Sequence, residues 1–370
     1  MKILQLASGD LWAGAEVQLF TLCRQLASFD DVDLHVVLLN DGQLAQRLRA
    51  CNIKVDILDE SMLGFPGLVR GLYRLCCECR PNLVHSHRSK QNVLASLCGL
   101  ALRIPSLRTI HGADEFRSSA FSVGGLVQFL NRFTGRWLQR SVVAVSEDLA
   151  HNLRIDYGAG RVVVVRNGVV EQDIADHNTI VLDNTGRDNE VHVGIVGRLT
   201  PVKRIDLFLE AAQLLLRGQP ELIARFHVVG DGELLDPLRD MAESLGISER
   251  VEFTGHVESA VPYLKAFDVL VMCSDHEGTP MTLLEAMLCE LPIVAHDTGG
   301  LAELLEDGKA GRLVSRHEAT AYAEAIIAAI TDRDGTAALA RYGREKVLKE
   351  YSAAANATAY RDLYRATLAR

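Results

Sequence analysis

The sequence predicts an α/β protein built from two doubly wound, Rossmann-like domains, and three observations carry that expectation. At 370 residues the chain exceeds one ordinary hydrophobic core and suits two domains of roughly 150–200 residues. Short β-branched runs alternate with amphipathic helical patterns, the signature of βαβ units on a parallel sheet. A polar stretch rich in Asp and Asn, 171–190, interrupts the alternation, which then restarts.

Taken in order, strands are expected at 2–7, 33–39, 54–58, 82–86, 106–111, 142–146 and 162–166. Helical stretches fall between them at 14–28, 66–80, 89–103 and 122–140. Beyond the 171–190 linker, strands follow at 191–197, 224–230, 251–255, 268–274 and 292–296. Ile205, Phe208, Leu209, Ala212, Leu215 and Leu216 fall on one helical stripe with spacings of three and four. The expected domains are 1–170 and 191–350, with a C-terminal helix over 351–370 packing back on the first. Ligands of such folds lie at the carboxyl ends of strands, so the domains are expected to face each other across a binding cleft.

Composition narrows the function. The net charge of −9 divides unevenly: residues 1–170 hold 19 Lys/Arg against 15 Asp/Glu, and the remainder 20 against 33. An acidic half argues against nucleic acid as a partner, while the basic half suits an anionic one. No window reaches the ~18 apolar residues of a membrane span, and 93–102 stops at Arg103 as a buried helix would. The opening MKILQLASGD turns polar too soon for a leader, so a cytoplasmic protein is expected. Eight cysteines sit mostly in apolar segments, and the pair Cys76 and Cys79 lacks a second pair. They are expected to be core thiols, with no disulfide or metal role.

Four segments carry chemistry. In HEGTPMTLLEAM (276–287), Thr279 is expected to cap a helix whose first turn holds Pro280. A helix start offers unpaired amides and partial positive charge, which suits a phosphate. Glu277 lies just outside that end and Glu285 roughly 9 Å further along the axis. A sugar nucleotide has this layout, with sugar and ribose at the ends and diphosphate between. On this segment alone, a surface helix with two solvated glutamates is the commoner arrangement. Arg198 directly after a strand, and Lys203 at the opening of the next helix, are cations suited to a leaving diphosphate. HVVGDGELL (227–235) turns through Gly230 and Gly232 but has Leu235 where a dinucleotide fingerprint needs a third Gly. With His256 and Val257 that turn is expected to line a base pocket, and Gly14 to let backbone approach a ligand after the first strand.

As a set, these segments resemble the retaining GT-B glycosyltransferases of family 4, the "glycosyl transferases group 1" type. The resemblance runs through GAE at 14–16, His111-Gly112, VSE at 145–147, RNGV at 166–169, GRLTPVK at 197–203 and GDG at 230–232. It continues in FTGHV at 253–257, EGTPMTLLE at 277–285 and GGLAE at 299–303, so it covers nearly the whole chain. It implies a nucleotide-sugar donor, UDP- ahead of GDP-, transfer with retention, no metal or other cofactor, and a glycan or lipid-linked acceptor in cell-surface polysaccharide or glycolipid synthesis. Arg198 and Lys203 would bind the donor diphosphate, Glu277 the sugar hydroxyls and Glu285 the ribose. His111 would reach the sugar or the transition-state region, and Gly14 the phosphates or acceptor. Backbone at Gly278, Thr279, Pro280, Met281, Thr282 and Leu283 would complete the phosphate site. Three departures stand out: Ala13 before Gly14, Arg204 after Lys203, and Glu290 where Gly is usual.

Two Asp-x-Asp triplets, Asp31-Val32-Asp33 and Asp332-Arg333-Asp334, are expected in solvated turns rather than on a metal. FLNRFTGRWLQR (129–140) spaces Arg132, Arg136 and Arg140 by four, beside Phe129, Phe133 and Trp137. It reads either as a core helix with an arginine edge or as a face for an anionic membrane, the former preferred. His85, His87, Arg88 and Lys90 follow another strand and are candidates for touching an acceptor. A sugar-nucleotide epimerase of the same fold and an inactive sugar-nucleotide-binding protein are the competing readings. An NAD-dependent oxidoreductase is weakened by the missing glycine.

Overall fold

The computed structural model describes residues 1–10, 12–112, 123–180, 182 and 190–369. The chain forms two compact units, Met1–Val169 with Ser352–Arg370, and Val170–Tyr351. In the first, strands β1 (Lys2–Ala7), β2 (Asp33–Leu38), β3 (Lys54–Ile57), β4 (Leu83–His87), β5 (Ser106–Ile110), β6 (Ser141–Ala144) and β7 (Val162–Val164) form one sheet. Helices α1 (Gly14–Leu26), α2 (Gln43–Ala50), α3 (Phe65–Cys79), α4 (Ser89–Leu102), α5 (Val123–Trp137) and α6 (Glu147–Tyr157) alternate with them. Every pairing is parallel, in the order β3-β2-β1-β4-β5-β6-β7, so the winding reverses between β1 and β4. Ile3, Leu4, Val36, Val37, Val142 and Val143 are buried on both faces, which explains why these strands read as continuous apolar runs.

The second unit opens with α7 (Glu171–Ala175) and continues β8 (Val191–Val196), α8 (Ile205–Gly218), β9 (Ala224–Val229), α9 (Leu235–Ser244), β10 (Val251–Gly255) and α10 (Val261–Leu264). Next come β11 (Val269–Met272), α11 (Met281–Leu288), β12 (Ile293–His296), α12 (Gly299–Leu304), β13 (Arg312–Val314), α13 (Ala319–Thr331) and α14 (Arg333–Glu350). Its sheet is also parallel, ordered β10-β9-β8-β11-β12-β13, with the reversal between β8 and β11. The α8 stripe packs as its spacing requires, with Phe208, Leu209, Ala212 and Leu215 fully buried and Leu216 half-buried beside them. The last helix, α15 (Ala353–Leu368), belongs to the first unit, where Ala357, Tyr360 and Tyr364 join Leu19, Leu22 and Leu26 of α1 in the core.

Several expectations need correction. The segment 171–190 begins with helix α7, whose Ile174 is buried, and Lys265 Nζ donates to the His177 carbonyl at 2.5 Å. Its first residues are thus packed into the second unit; residues 181 and 183–189 lie outside the described residues. Strand β13, with 3 residues, and helix α2, with 8, carry patterns too short for periodicity to single out. Thr279 does not cap α11: the cap position is Pro280, which makes no side-chain capping bond, and the Leu283 amide is already bonded to the Pro280 carbonyl at 3.2 Å.

Candidate active site

The loops that follow β8 and β11 flank the strand-order reversal of the second sheet, where open α/β sheets bind ligands. Lys203 closes a 3-10 turn, Pro201–Lys203, and its side chain lies over Gly197. Its Nζ donates to Glu277 Oε1 at 2.5 Å, and the same oxygen accepts from Ser274 Oγ at 2.7 Å. Two residues separated by 74 positions therefore meet at one point. The Glu277 carbonyl accepts from the Gly300 amide at 3.1 Å, and a Cβ on Gly300 would fall 1.4 Å from the Gly278 carbonyl oxygen. That contact explains the Gly in GGLAE: no other residue lets α12 seat against the 277–278 backbone. Asp275 is tied down as well, its amide to the Val202 carbonyl and its carboxylate 3.5 Å from Arg204. Arg204, where the family pattern has Gly, adopts a left-handed φ of 49° and bonds Asp206 through two nitrogens.

Arg198 is exposed, and its guanidinium makes no ion pair among the described residues. Gly230 and Gly232 do their packing against protein. A Cβ on Gly230 would sit 2.0 Å from the Gly197 carbonyl, and one on Gly232 2.5 Å from that of Leu199. Bonds from Leu199 N to the Asp231 carbonyl and from Leu234 N to the Leu199 carbonyl stitch the two turns together. The glycines thus shape the loop that presents Arg198. His256 is exposed and Val257 half-buried just beyond β10, whose Gly255 carbonyl accepts from the Gly230 amide. In α11 the side chains of Met281 and Leu283 are buried, which leaves only their backbone for a ligand, and Thr279 is buried ahead of the helix.

Glu285 lies one turn inside α11, half-buried, and its carboxylate makes no hydrogen bond among the described residues. Burial pushes its carboxyl up to about 7, and the Asp173 carboxylate on α7 adds to the shift. Sequence reasoning had no signal for Asp173, because it lay in a segment read as linker. Ser274 was equally silent, an ordinary residue at a strand end.

The first sheet has its own reversal, between β1 and β4. Gly14 is the exposed first residue of α1, while Glu16 of the same GAE turn is buried and accepts from Arg88 at 2.5 Å. Burial raises the Glu16 carboxyl, with the Arg88 charge opposing. Arg88 itself stands at φ 68°, also 3.6 Å from Asp10. His111 follows β5 and bonds the buried His87 at 3.1 Å, Nε2 to Nδ1. Burial and the Arg88 charge push its imidazole down to about 4. Two acceptor candidates are corrected: His85 is fully buried between Tyr364 and Thr109, and Lys90 is paired with Glu60.

Helix α5 departs from its preferred reading as a core helix with an arginine edge. Phe129 and Trp137 are 65% and 62% exposed, Phe133 is exposed too, and polar Asn131 and Thr134 are buried. The cause is Arg108 on β5, fully buried, which donates to the Asn131 carbonyl at 2.7 Å and to Thr134 Oγ1 at 2.8 Å. A buried guanidinium must be surrounded by acceptors, so the helix turns its polar side inward. Arg132 and Arg136 reach Asp156 on α6, by its carboxylate and its carbonyl.

Three of the four Asp-x-Asp carboxylates are engaged in structural bonds. Asp31 pairs with Arg365 and Asp33 with Lys2, while Asp332 caps α14 and pairs with Arg312. Among the described residues, no group of three or more His, Cys, Asp or Glu side chains is arranged to hold a metal ion. No described helix is long and apolar enough to cross a membrane.

Known proteins align with this arrangement. The family model "Glycosyltransferase Family 4" matches residues 12–173, and "Glycosyl transferases group 1" matches 181–346. The UDP-bound crystal structure of HepE from Anabaena superposes with a TM-score of 0.81 at 21% identity, over 99% of this chain and 100% of that one. The fold is that of the GT-B glycosyltransferases. Sucrose-phosphate synthase from Thermosynechococcus elongatus shares this GT-B architecture with a TM-score of 0.78 at 20% identity, over the full length of both chains. In sequence, the chain is 32% identical to a D-inositol 3-phosphate glycosyltransferase of Geodermatophilus obscurus over 280 residues, 70% of this chain and 62% of that protein. It is 25% identical to a UDP-Gal:alpha-D-GlcNAc-diphosphoundecaprenol alpha-1,3-galactosyltransferase of Escherichia coli, over 84% of this chain and 85% of that one. It spans 40% of the poly(ribitol-phosphate) alpha-N-acetylglucosaminyltransferase of Staphylococcus aureus, to which it is 28% identical.

Proposed function

We propose that this chain is a retaining, metal-independent glycosyltransferase that moves a sugar from a nucleotide-sugar donor, UDP- ahead of GDP-, to a glycan or lipid-linked acceptor. The observation that carries the reading is the convergence of Lys203 and Glu277 beside the start of α11 at the β8/β11 reversal. Lys203 and Arg198 take the donor diphosphate together with the Met281 and Thr282 amides, which opens the sugar–phosphate bond without a metal. Glu277, already oriented by Ser274, accepts from sugar hydroxyls, and Glu285 from the ribose. Gly230, Gly232, His256 and Val257 form the wall on the nucleoside side. The acceptor oxygen attacks the anomeric carbon on the face the diphosphate leaves, and a leaving phosphate oxygen takes its proton. Retention is supported by the Escherichia coli relative, whose name gives a UDP-galactose donor and an α-1,3 product. That name and the UDP-bound neighbour support the uridine base.

The setting we propose is the cytoplasmic face of a membrane in cell-surface polysaccharide or glycolipid synthesis. The lipid-linked acceptor named for the Escherichia coli relative and the exposed aromatics of α5 support it. The test is a thermal-shift panel of UDP, GDP, ADP and their sugars, in EDTA throughout. UDP at a hundredfold over its dissociation constant is expected to add about 2.7 kcal/mol of stability. Stabilisation by none of the nucleotides, or only after a divalent metal is restored, overturns the reading.

A further inference from the structure

A chain of buried hydrogen bonds runs behind His111 through the core of the first unit. His111 Nε2 meets His87 Nδ1 at 3.1 Å, and His87 Nε2 meets Gln5 Oε1 at 3.0 Å. Gln5 Nε2 donates to the Tyr364 hydroxyl at 2.9 Å, which lies 2.8 Å from His85 Nδ1. His85 Nε2 reaches Thr109 Oγ1, and Thr109 reaches the Tyr360 hydroxyl, both at 2.8 Å. Gln5, His85, His87, Tyr360 and Tyr364 are all buried. Burial lowers the imidazoles of His85 and His87 well below their ordinary value, so all three rings are neutral at pH 7.

A neutral imidazole has one donor and one acceptor nitrogen, so such a chain has a direction. With its amide nitrogen on Tyr364, Gln5 offers only its oxygen to His87. The His87 proton therefore sits on Nε2, which leaves a lone pair on Nδ1. That lone pair requires the proton of His111 on Nε2. His111 Nδ1 is then a bare acceptor, and it is buried with no hydrogen-bond partner among the described residues. A buried acceptor left open in the free protein is stabilised when a ligand donor arrives. Reversing the Gln5 amide would reverse every bond and put a proton on Nδ1 instead.

We propose that Gln5 and His87, anchored on Tyr364 of the C-terminal helix, are positioning residues that fix His111 as the Nε2–H tautomer, so that its Nδ1 accepts a hydrogen bond from a substrate sugar hydroxyl. The sugar rests on the transferase reading; the tautomer does not.

The test uses the full chain labelled with ¹⁵N-histidine, the ring nitrogens being read by long-range ¹H–¹⁵N correlation and His111 assigned through His111→Asn. The expected wild-type signature is a protonated Nε2 and a bare Nδ1. Gln5→Met is expected to give a mixture of tautomers at His111. Gln5→Glu, whose carboxylate still accepts from His87, is expected to restore the single form. A wild-type His111 with its proton on Nδ1 overturns the proposal, and so does a Gln5→Met protein with the wild-type signature. If Gln5→Met does not fold, Tyr364→Phe serves as the second variant, and the wild-type spectrum alone still decides the direction. In parallel, calorimetry compares UDP with whichever of UDP-glucose, UDP-galactose and UDP-N-acetylglucosamine binds wild type most tightly. The loss in Gln5→Met is expected to be roughly three- to tenfold and confined to the UDP-sugar. Equal loss for UDP, or none for either, overturns the role in binding. Failure of wild type to bind any of these nucleotides sinks the transferase reading instead and leaves the tautomer result standing.

Discussion

At the scale of single residues, Lys203 and Glu277 bond each other, although sequence reasoning gave them separate tasks, one on phosphate and one on sugar. Both are compatible with one geometry: the ammonium keeps two further protons for the diphosphate, while the carboxylate's second oxygen is left for a hydroxyl. Lys203→Ala therefore removes a stabiliser of the leaving group and also frees Glu277 from its orientation. Turnover is expected to fall roughly 10²–10³-fold with the fold intact, and a purified variant with the wild-type rate would refute the assignment. Glu285 supplies a prediction with a sign. Its folded value near 7 lies above the ordinary 4.5, so the folded protein holds this proton more tightly than the unfolded chain does. The contribution to stability is full below about pH 4.5 and is lost as pH rises to about 7. A ribose hydroxyl needs the ionised carboxylate, so UDP affinity should instead rise across that window and level off above it. Urea titrations and calorimetry from pH 5 to 8 should show both slopes in wild type, while Glu285→Gln should lose the stability slope and flatten the affinity slope to that of the UDP phosphate itself. Parallel slopes in the two proteins would remove Glu285 from the nucleotide site. The motif letters pointed to Arg198, Lys203, Glu277 and Glu285, because strand ends and helix starts are legible from periodicity. They could not point to Ser274 or Asp173, whose importance lies only in what stands opposite them.

At the scale of elements, the strands were legible because a parallel sheet buried on both faces demands uninterrupted apolar runs such as Val142–Val143 and Val269–Met272. Short or polar-faced elements were not, and α5 shows why. Its periodicity was visible, but which face turns inward is set by Arg108, a residue on a different strand. The two glycines of the 230–232 turn likewise have a packing role that periodicity does not show: the space a Cβ would occupy is filled by the backbone of the 197–199 loop. The inverted face of α5 sharpens the membrane prediction. Phe129, Phe133 and Trp137 project together with Arg132 and Arg136, and Ile155 on α6 is 74% exposed. Wild type is expected to sediment with vesicles rich in phosphatidylglycerol. Changing the three aromatics to Ser should abolish this and leave the UDP-induced thermal shift unchanged. Changing Arg132, Arg136 and Arg140 to Gln should weaken it by about 1 kcal/mol per residue, as should salt near 1 M, where screening acts within about 3 Å. Binding unaffected by either set of changes would make these side chains an ordinary solvated surface.

At the scale of the whole molecule, the chain leaves its first unit after Val169 and returns to it at Ser352. The return is built into the sequence at a motif: the Gly168 amide donates to Gln18, Gln18 donates to Asn356, and Asn356 donates to the Arg166 carbonyl. Gly168 has no room for a side chain, since its Cβ would meet the Ala353 Cα at 2.7 Å. The RNGV segment thus clasps α15. Above it, Tyr360 and Tyr364 are buried against α1 and also end the hydrogen-bond chain that leads to His111. Removing α15 uncovers Leu19, Leu22 and Leu26 and orphans Gln5 and His85, a loss that the first unit's sheet has no other element to replace. The groups proposed to hold the nucleotide, from Arg198 to Glu285, in contrast all belong to the second unit. A chain ending at Tyr351 is therefore expected to lose the cooperative melting of its first unit and, with it, all transfer, while UDP still raises the melting of what remains folded. The measurement is calorimetric scanning of the full and shortened chains with and without UDP. Intact melting of the first unit without α15 would show that the clasp is dispensable. Loss of the UDP response would show that the nucleotide depends on the first unit after all.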